Sequence, residues 1–427
     1  MKLGEVLKNR EGRYKPEDPA IASLKRIDKI NFSGQIFLSD KGSNTDMILI
    51  KKGDLVISGI NVEKGALTVY EGEEDILATI HYSSYIFDTS KINIDFLKVF
   101  LRSPDFVQLL KEQVPGGIKT EIKPKHILPL KVYFPETTSE QKVLAKHFFE
   151  KEAKFSQLNE HITIQLTQLE NLNQAILQEA VQGKLVPQDP KDEPASELLK
   201  RIKAEKVKSG KKEKTLSPIK PEEIPFEIPS NWVWCRLGEI CLKIGSGSTP
   251  KGSNYSKKGF PFFRSQNIYN DGLVYDDIKF VSDEVQKQMK GTIVFANDIL
   301  LNITGGSMGR CALVPEDFEE GNVSQHVCII RPLEVDRNYF HKIVLSPYFQ
   351  KFIFSSTTGA GREGLPKYNL EQFIIPLPPV SEQKRIVAEI EKQLAKTKQL
   401  REHITENQQA TEQLLKALLH KVFEVNE

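Results

Sequence analysis

Two long stretches of the chain carry apolar residues at heptad spacing. Residues 139–181 and 381–423 contain no Gly or Pro, and each begins with Ser followed by Glu and Gln, as a capped helix does. In the first stretch, Leu144, Leu158 and Leu172 form most of one column. The other column consists of Phe148, Phe155, Ile162, Leu169 and Ile176. The pattern predicts two helices, each about 65 Å long at ~1.5 Å per residue.

The second stretch repeats the pattern more weakly. Its columns contain Ile390, Thr397, Ile404, Thr411 and Leu418, and beside them Ile386, Leu400 and Leu414. Polar residues interrupt one column at the same places in both stretches: Lys151 and Gln165 in the first, Gln393 and Asn407 in the second. These matched breaks predict a mutual coiled coil in which the polar residues set the register. The alternative is that each helix packs only on its own domain.

The two stretches are copies of one another. At an offset of 242 residues, 16 of 43 positions are identical, whereas average composition would give roughly two or three. Weaker matches upstream pair residues 3–6 with 237–240, 53–58 with 297–302, 103–106 with 346–349, and 124–125 with 366–367. The chain is therefore predicted to be a pseudo-two-fold internal repeat, with a module at 1–136, a helix at 137–183, a linker with a short helix at 184–224, a module at 225–379 and a helix at 380–427.

Short β-rich runs bounded by turn residues dominate each module. The predicted strands are 47–50, 55–57, 293–295, 299–303 and 327–330. A helix is expected after each Ser-Pro pair, with Pro104 or Pro347 in its first turn. Mixed strands with few helices predict an α+β fold.

Overall charge does not indicate a partner, because 59 basic residues stand against 57 acidic ones. The four cysteines form no CxxC pair, which favours reduced thiols in a cytosolic protein. No run approaches the ~18 apolar residues of a membrane span, so a cytoplasmic location is expected. The basic run at 200–214 favours a solvated helix end over a phosphate-tracking arm.

One pattern raises the possibility of an enzyme. Asp105 after Pro104, followed by Glu121 and Lys123, matches the Pro-Asp, Glu-x-Lys spelling of metal-dependent nucleases. However, Asp105 is predicted to open a helix, and the second copy has Tyr348 in its place. Residues 305–310 lack the lysine of a phosphate-binding loop. We therefore assign no catalytic or metal site. His161 and His403, at equivalent helix positions, are interpreted as packing or surface residues.

The segment 240–270 has the strongest signature of DNA binding: five basic residues, no acidic ones, and five aromatics. Lysines can neutralise phosphates, while Arg264, Gln266 and Asn267 carry the forked groups that read base edges. The alternative is an exposed loop around a buried aromatic cluster. The candidates in this module are Lys243, Ser248, Thr249, Lys251, Tyr255, Lys257, Lys258, Arg264, Gln266, Asn267, Arg310, Arg362 and Lys367.

The first module has a smaller candidate set. It comprises Arg10, Arg13, Tyr14, Lys25, Arg26, Lys119, Lys123 and Lys125. Because 20 basic residues balance 19 acidic ones in residues 1–136, DNA affinity is expected to be modest without help from partners.

Several strings resemble the specificity (S) subunits of type I restriction-modification systems, the HsdS family. They are IPSNWVWCRLGEI at 228–240, GSTP before FFRSQNI, IIPLPPVSEQKRI at 374–386, and AVQGKLVPQDP followed by EPASELLKRI at 180–202. Their order across two variable modules extends the resemblance over nearly the whole chain. One departure is that the second module is entered through Pro229 and Trp232, whereas the first begins at Met1 with no counterpart. Either the first module is short at this edge or the true start lies upstream.

The resemblance implies two target-recognition domains, each reading half of a split DNA sequence, held apart by an antiparallel pair of long helices. It also implies docking of two methyltransferase subunits and of ATP-driven restriction subunits. S-adenosylmethionine, ATP and Mg²⁺ would be bound by those partners and not by this chain. We therefore expect a non-enzymatic DNA reader and scaffold. The alternatives are the nuclease described above and a coiled-coil interaction protein without DNA affinity.

Overall fold

The computed structural model describes the backbone of residues 2–31, 34–60, 66–101, 103–113, 121–132, 134–209, 216–356 and 364–423. Within these ranges it describes all side chains except those at positions 104, 105, 107, 113, 253 and 418–423. The chain divides into two compact units, residues 1–164 with 404–427, and residues 165–403. These units part inside the two long helices, so the five segments expected from the sequence remain a prediction.

The first unit contains two four-stranded sheets. Its strands are β1 (Leu7–Asn9), β2 (Arg26–Ile30), β3 (Ile36–Ser39), β4 (Met47–Ile50), β5 (Leu55–Ser58), β6 (Leu67–Val69), β7 (Ile76–Thr79) and β8 (Tyr82–Phe87). Its helices are α1 (Ile94–Leu101), α2 (Pro104–Gln113), α3 (Pro124–Ile127) and the first part of α4 (Thr138–Val181). One sheet has the order β1-β8-β5-β6 and the other β3-β2-β7-β4, in which only β2 and β7 are parallel.

The second unit begins within α4 and runs into the last helix. Its strands are β9 (Val233–Arg236), β10 (Cys241–Ser246), β11 (Phe260–Phe263), β12 (Ile268–Tyr269), β13 (Gly272–Leu273), β14 (Lys279–Val281), β15 (Ile293–Phe295), β16 (Ile299–Asn302), β17 (Cys311–Leu313), β18 (Glu320–Val323), β19 (Val327–Pro332) and β20 (Ile374–Leu377). Its helices are α5 (Ala195–Lys208), α6 (Leu237–Ile240), α7 (Asp283–Gln288), α8 (Arg337–Leu345), α9 (Pro347–Ser355), α10 (Lys367–Gln372) and α11 (Val380–Phe423).

Both units have the same strand order. In the second unit one sheet is β10-β19-β16-β17, and the other is β14-β11-β18-β15 with β11 and β18 parallel. The hairpin β12-β13 and the ribbon β9-β20 are the sheets of the second unit without a full counterpart among the described strands of the first. The predicted α+β class is confirmed, and each strand predicted from the sequence is present. None of the described helices is long and apolar enough to cross a bilayer.

A four-residue turn before β5 recurs before β16. Asp54 accepts a hydrogen bond from Lys51 N at 2.9 Å, and Asp298 accepts one from Phe295 N at 2.8 Å. The residue before each aspartate has a positive φ, 86° at Gly53 and 68° at Asn297. The match explains why residues 53–58 and 297–302 are similar in sequence, since both need the same turn.

Each of these aspartates is buried and paired with an arginine. Arg10 donates to both carboxylate oxygens of Asp54, with Nη2 at 2.6 Å from Oδ1. Arg331 donates to Asp298 from Nε at 2.6 Å and from Nη2 at 2.7 Å. Arg10 follows β1, whereas Arg331 lies on β19, which pairs with the strand equivalent to β1. Both units thus contain the buried carboxylate. Its arginine follows the first strand of the sheet in one unit, and lies on the neighbouring strand in the other.

A buried glutamine fixes each long helix to its module. Gln141 accepts from Asn93 N at 2.7 Å and donates to Pro135 O at 3.0 Å. At the equivalent places, the side chain of Gln383 bonds in the same way to two groups, Asp336 N at 2.7 Å and Pro378 O at 2.9 Å. The shared sequence SEQK therefore holds the helix against the same two segments in both units.

One heptad column is buried in both long helices, whereas the other is exposed at four leucines. Phe148, Ile162, Leu169 and Ile176 of α4 and Ile390, Thr397 and Ile404 of α11 are buried. In contrast, Leu158, Leu172, Leu400 and Leu414 are between 44% and 56% exposed. These four leucines face solvent, since a single apolar stripe suffices to cover one face of each helix. The mutual coiled coil stays a prediction.

Candidate nucleic-acid interface

Five segments of the second unit, made mostly of loop residues, meet beside the end of β16. They are residues 245–251, 264–270, 303–310, 324–326 and 364–368. Hydrogen bonds connect them: Ser248 N to Val323 O at 3.1 Å, Asn302 Nδ2 to Ser265 O at 2.9 Å, Ile303 N to His326 O at 3.0 Å, Leu365 N to Ile303 O at 2.9 Å, and Cys311 N to Asn270 Oδ1 at 3.1 Å. We call this arrangement the loop cluster. It brings together candidates that are as far apart in sequence as Ser248 and Lys367.

Arg264 and Gln266 are held by one acidic residue. Arg264 Nη2 donates to Asp277 Oδ2 at 2.9 Å, and Gln266 Nε2 donates to the same oxygen at 3.3 Å. Lys279 binds the other oxygen at 3.0 Å. The hydrogen bond from Lys279, followed by that from Arg264, lowers the pKa of Asp277 to about 2. The carboxylate therefore stays ionised near neutral pH, and it holds the side chains of Arg264 and Gln266, the two predicted base readers.

Arg310 and Tyr269 form a second feature of the loop cluster. The guanidinium carbon of Arg310 lies 4.7 Å from the ring centroid of Tyr269, a cation–π distance. Tyr269 is exposed. An exposed ring backed by a cation is a surface on which a base can stack.

Asn267 does not read base edges, contrary to the prediction. It is fully buried, and its Nδ2 donates to Val274 O at 2.9 Å and to Asp276 O at 3.2 Å. Its Oδ1 accepts from Arg264 N at 3.0 Å. The amide is thus used to shape the loop that carries Arg264.

The aromatics of this segment are largely core. Phe262 and Phe263 are fully buried, and Tyr255 packs on Phe262 with ring centroids 5.5 Å apart. The alternative of a buried aromatic cluster is therefore confirmed for these residues, and Tyr255 is a packing residue with partial exposure.

The remaining candidates of the second module differ in their surroundings. Lys243 donates to Gly291 O, and Lys367 lies 3.4 Å from Glu371. Thr249, Lys251, Lys257 and Lys258 are exposed, as a phosphate contact requires. Arg362 lies outside the described residues.

Polar atoms without partners collect at the loop cluster. Among the described residues, Asn302 Oδ1, Ser324 Oγ and Arg264 Nε are buried and have no hydrogen-bond partner. A buried unsatisfied group costs about 1–3 kcal/mol, so such groups mark places where a water molecule or a ligand is expected.

In the first unit, several predicted contacts are structural. Arg10 is bound to the buried Asp54, so its guanidinium is not free for DNA. Arg26 donates from Nε to Lys41 O at 2.6 Å. The backbone of Tyr14 pairs with that of Met47.

The other first-module candidates are more open. Arg13 and Lys25 are exposed, with Arg13 3.6 Å from Asp46. Lys123 and Lys125 are also exposed. Lys119 lies outside the described residues.

The nuclease pattern is not assembled on a strand. Asp105 lies in α2, as the sequence predicts, and Glu121 Oε1 is 3.0 Å from His81 Nδ1. Within the described residues, no three His, Cys, Asp or Glu side chains are grouped so as to hold a metal ion. Cys235, Cys241, Cys311 and Cys328 are buried free thiols, and burial raises the pKa of Cys328 to about 12.

Two histidines at these sites were not predicted. His81 and His326 lie on the turns before β8 and β19, and both are exposed. A single histidine forms no pattern that would mark it in a sequence. Alignment of the two modules, however, pairs His81 with His326 at an offset of 245 residues.

The second module and the first part of α11 match a known family model. A family model for the type I restriction modification DNA specificity domain matches residues 229–408. The EcoAI specificity subunit of a type I restriction enzyme from Escherichia coli is 34% identical over 255 residues, covering 56% of this chain and 42% of that protein. The EcoEI specificity subunit, also from Escherichia coli, is 35% identical over 274 residues, covering 60% and 44%. Residues 229–408 therefore match a type I restriction modification DNA specificity domain, and the chain is similar to type I specificity subunits.

Other type I specificity subunits match over more of their length. The putative MjaX specificity subunit of Methanocaldococcus jannaschii is 27% identical over 360 residues, covering 78% of this chain and 70% of that protein. The alignments with the two Escherichia coli specificity subunits, in contrast, cover less than half of each relative.

Solved structures share the fold. A chain from a study of complex assembly and conformational transition of the type I R-M system gives a TM-score of 0.66 at 16% identity, covering 99% of this chain and 96% of that one. The HsdS subunit from Thermoanaerobacter tengcongensis gives a TM-score of 0.53 at 18% identity, covering 99% and 95%.

Proposed function

We propose that this chain is the non-catalytic DNA reader and assembly scaffold of a type I complex. Each module reads one half of a bipartite sequence, and the long helices set the spacing between the halves. The observation that carries the proposal is the repeated module: both units have the same strand order and the same hydrogen-bonded turn. A duplicated reader suits a target with two half-sites.

The helices suit the role of a spacer. Each has 44 residues, about 66 Å at ~1.5 Å per residue. In the second unit, Thr397 Oγ1 donates to Asn173 Oδ1 at 2.7 Å, and Arg401 Nη2 lies 2.9 Å from Glu170. Residue numbers fall on one helix as they rise on the other, which supports an antiparallel pair. Lys151, Gln165, Gln393 and Asn407 remain the predicted register positions, although Gln165 and Asn407 are exposed.

The exposed leucines support docking of other subunits. Leu158 and Leu400 are equivalent in the repeat, as are Leu172 and Leu414, and all four side chains face solvent. Two matched apolar stripes suit two copies of one partner. We infer that two methyltransferase subunits bind here, that restriction subunits join them, and that S-adenosylmethionine, ATP and Mg²⁺ are bound by those partners.

Lengthening the helix pair tests the spacer role. Four residues inserted within 166–179, with four more within 391–404, add a little over one turn, or ~6 Å. Mapping of methylated adenines in the host should then show a spacer longer by one or two base pairs, at ~3.4 Å each, with both half-sites unchanged. Altered half-site bases would contradict the spacer role.

Exchanging one module tests the reader role. Replacement of residues 225–378 by the corresponding segment of a relative should change one half-site only. Binding of a target duplex should also weaken steeply with salt, because phosphate contacts release counterions. A coiled-coil protein without DNA affinity would show no such binding. A nuclease would cleave DNA in the presence of Mg²⁺ when the chain is purified without partners.

A further inference from the structure

His81 and His326 occupy equivalent positions in the two units. The carbonyl of His81 accepts from Gly59 N at 2.8 Å, and that of His326 accepts from Ile303 N at 3.0 Å. The next link is also matched: Gly59 O accepts from Ile122 N at 2.7 Å, and Ile303 O accepts from Leu365 N at 2.9 Å. Each histidine therefore lies at the same turn, between a strand of one sheet and a strand of the other.

In both rings Nδ1 makes a hydrogen bond, but the partner differs. His81 Nδ1 is 3.0 Å from Glu121 Oε1, and His326 Nδ1 is 2.7 Å from Thr304 Oγ1. The described residues provide no hydrogen bond to Nε2 of either ring, and both side chains are exposed. With Nδ1 hydrogen-bonded, Nε2 is the ring nitrogen left available to a ligand.

We propose that His81 and His326 are matched DNA contacts, one in each module, and that each binds its half-site through Nε2. This inference rests on the proposed function and names one residue in each module that would contact DNA.

The surroundings of His326 favour a ligand. Ser324 Oγ, two residues before it, is buried without a partner, and so is Asn302 Oδ1 next to the backbone that binds His326. Arg310, Gln266 and Tyr269 belong to the same loop cluster. The site thus combines cations, unsatisfied polar atoms and an exposed ring, as a DNA groove contact does.

The surroundings of His81 are similar in kind. Glu121 accepts from Nδ1, since a carboxylate can only accept, which leaves Nε2 to accept from a base or, when the ring is protonated, to donate to DNA. Lys123 lies 3.6 Å from the other oxygen of Glu121 and is exposed. Position 59 is glycine, where a Cβ would lie 2.7 Å from Ile122 O and 3.0 Å from His81 O, so the close packing of this turn depends on Gly59.

Asparagine and glutamine substitutions separate anchoring from contact. The side-chain amide of Asn reaches the position of Nδ1, and that of Gln reaches the position of Nε2, where its nitrogen can donate or its oxygen can accept. The four variants His81→Asn, His81→Gln, His326→Asn and His326→Gln are made in the full chain and purified in complex with its host partners. His161→Ala, an exposed histidine of α4, is the control.

Binding to a duplex with the mapped target sequence is the measurement. We expect each Asn variant to weaken binding roughly 5- to 100-fold, as loss of one base contact does, and each Gln variant to retain most of the affinity. For His326→Asn, further changes to the half-site read by the second module should then have less effect than in the wild type, while changes to the other half-site keep their full effect.

Three results would overturn the inference. Wild-type binding by both Asn variants means that the rings make no DNA contact. Loss in the Gln variants alone means that the rings only anchor the turn, and equal loss in Asn and Gln variants excludes a contact through Nε2. A wild-type complex that binds no specific duplex, in contrast, contradicts the proposed function itself.

Discussion

Trp232 donates its indole hydrogen to the carboxylate of Glu382 at 2.9 Å, across 150 residues of sequence. Glu382 is fully buried at the start of α11, and Gln188 donates to its other oxygen at 2.6 Å. Burial raises the pKa of this carboxyl group above its usual value. The residues that lead into the second module are thereby fixed to the long helix that follows it.

Trp232→Phe should destabilise the second unit. The substitution keeps an aromatic ring but leaves one oxygen of a buried carboxylate without its donor, which costs about 1–3 kcal/mol. Urea unfolding followed by circular dichroism measures the loss. Trp234→Phe, which keeps an aromatic ring against Phe226, is the control and should cost less; an equal loss would show that the hydrogen bond contributes little.

Asp192 should make stability depend on acid pH. The hydrogen bond from Arg385, first among several causes, lowers the pKa of Asp192 below its unfolded value. Its stabilisation is therefore complete above ~3.9, the pKa of an unfolded aspartate, and is lost as the pH falls through the folded pKa. Asp192→Asn should cost up to about 1 kcal/mol at pH 7, since Arg385 is more than a third exposed. The gap between wild type and variant should narrow by pH 3; a constant gap would contradict the linkage.

Asp277→Asn should strengthen DNA binding. Removing this carboxylate releases Arg264 and Gln266 and takes a negative charge out of the loop cluster. We expect affinity to rise roughly two- to fivefold and the salt dependence to steepen by about one phosphate contact, whereas Arg264→Ala should weaken binding. Asp283→Asn, an exposed change of the same charge in α7, is the matched control. Weaker binding by Asp277→Asn would show that holding Arg264 in position matters more than freeing it.

The buried aspartates should each be essential to their own unit. Asp298→Asn removes the charge that pairs with Arg331, and Asp54→Asn does the same for Arg10. Breaking a buried ion pair costs about 3–5 kcal/mol, measurable as a lower urea midpoint. Glu316→Gln, at the exposed pair with Arg337, should cost less than about 1 kcal/mol. Similar effects at exposed and buried pairs would contradict this account.

Local pattern was sufficient to predict the long helices. The stretch 139–181 became Thr138–Val181, and 381–423 became Val380–Phe423, because Gly- and Pro-free heptads leave few other conformations. Strands such as β4 and β15 were also predictable from short β-branched runs. The exposure of Leu158 was not, since a heptad position does not reveal which face has a partner.

The candidate interface was only partly predictable. Composition located the basic loop, and the exposure of Lys257 and Lys258 agrees with it. It could not show that Asn267 is buried or that Arg10 binds Asp54, because those bonds join segments up to 44 residues apart. Nor could it reveal His326, whose ring partner, Thr304, is 22 residues away in the sequence.

The different origins of the two arginines constrain recombination between the modules. A hybrid that joins β1 and Arg10 to β16–β19 would carry two guanidiniums, Arg10 and Arg331, for the single carboxylate of Asp298. The reciprocal hybrid, with β10 joined to β5–β8, would bury Asp54 with no arginine at all. A crossover within a module therefore gives one hybrid with two arginines and one with none, whereas a crossover in a long helix keeps each Asp–Arg pair intact. Exchange of whole modules is the course that this fold permits at least cost in stability.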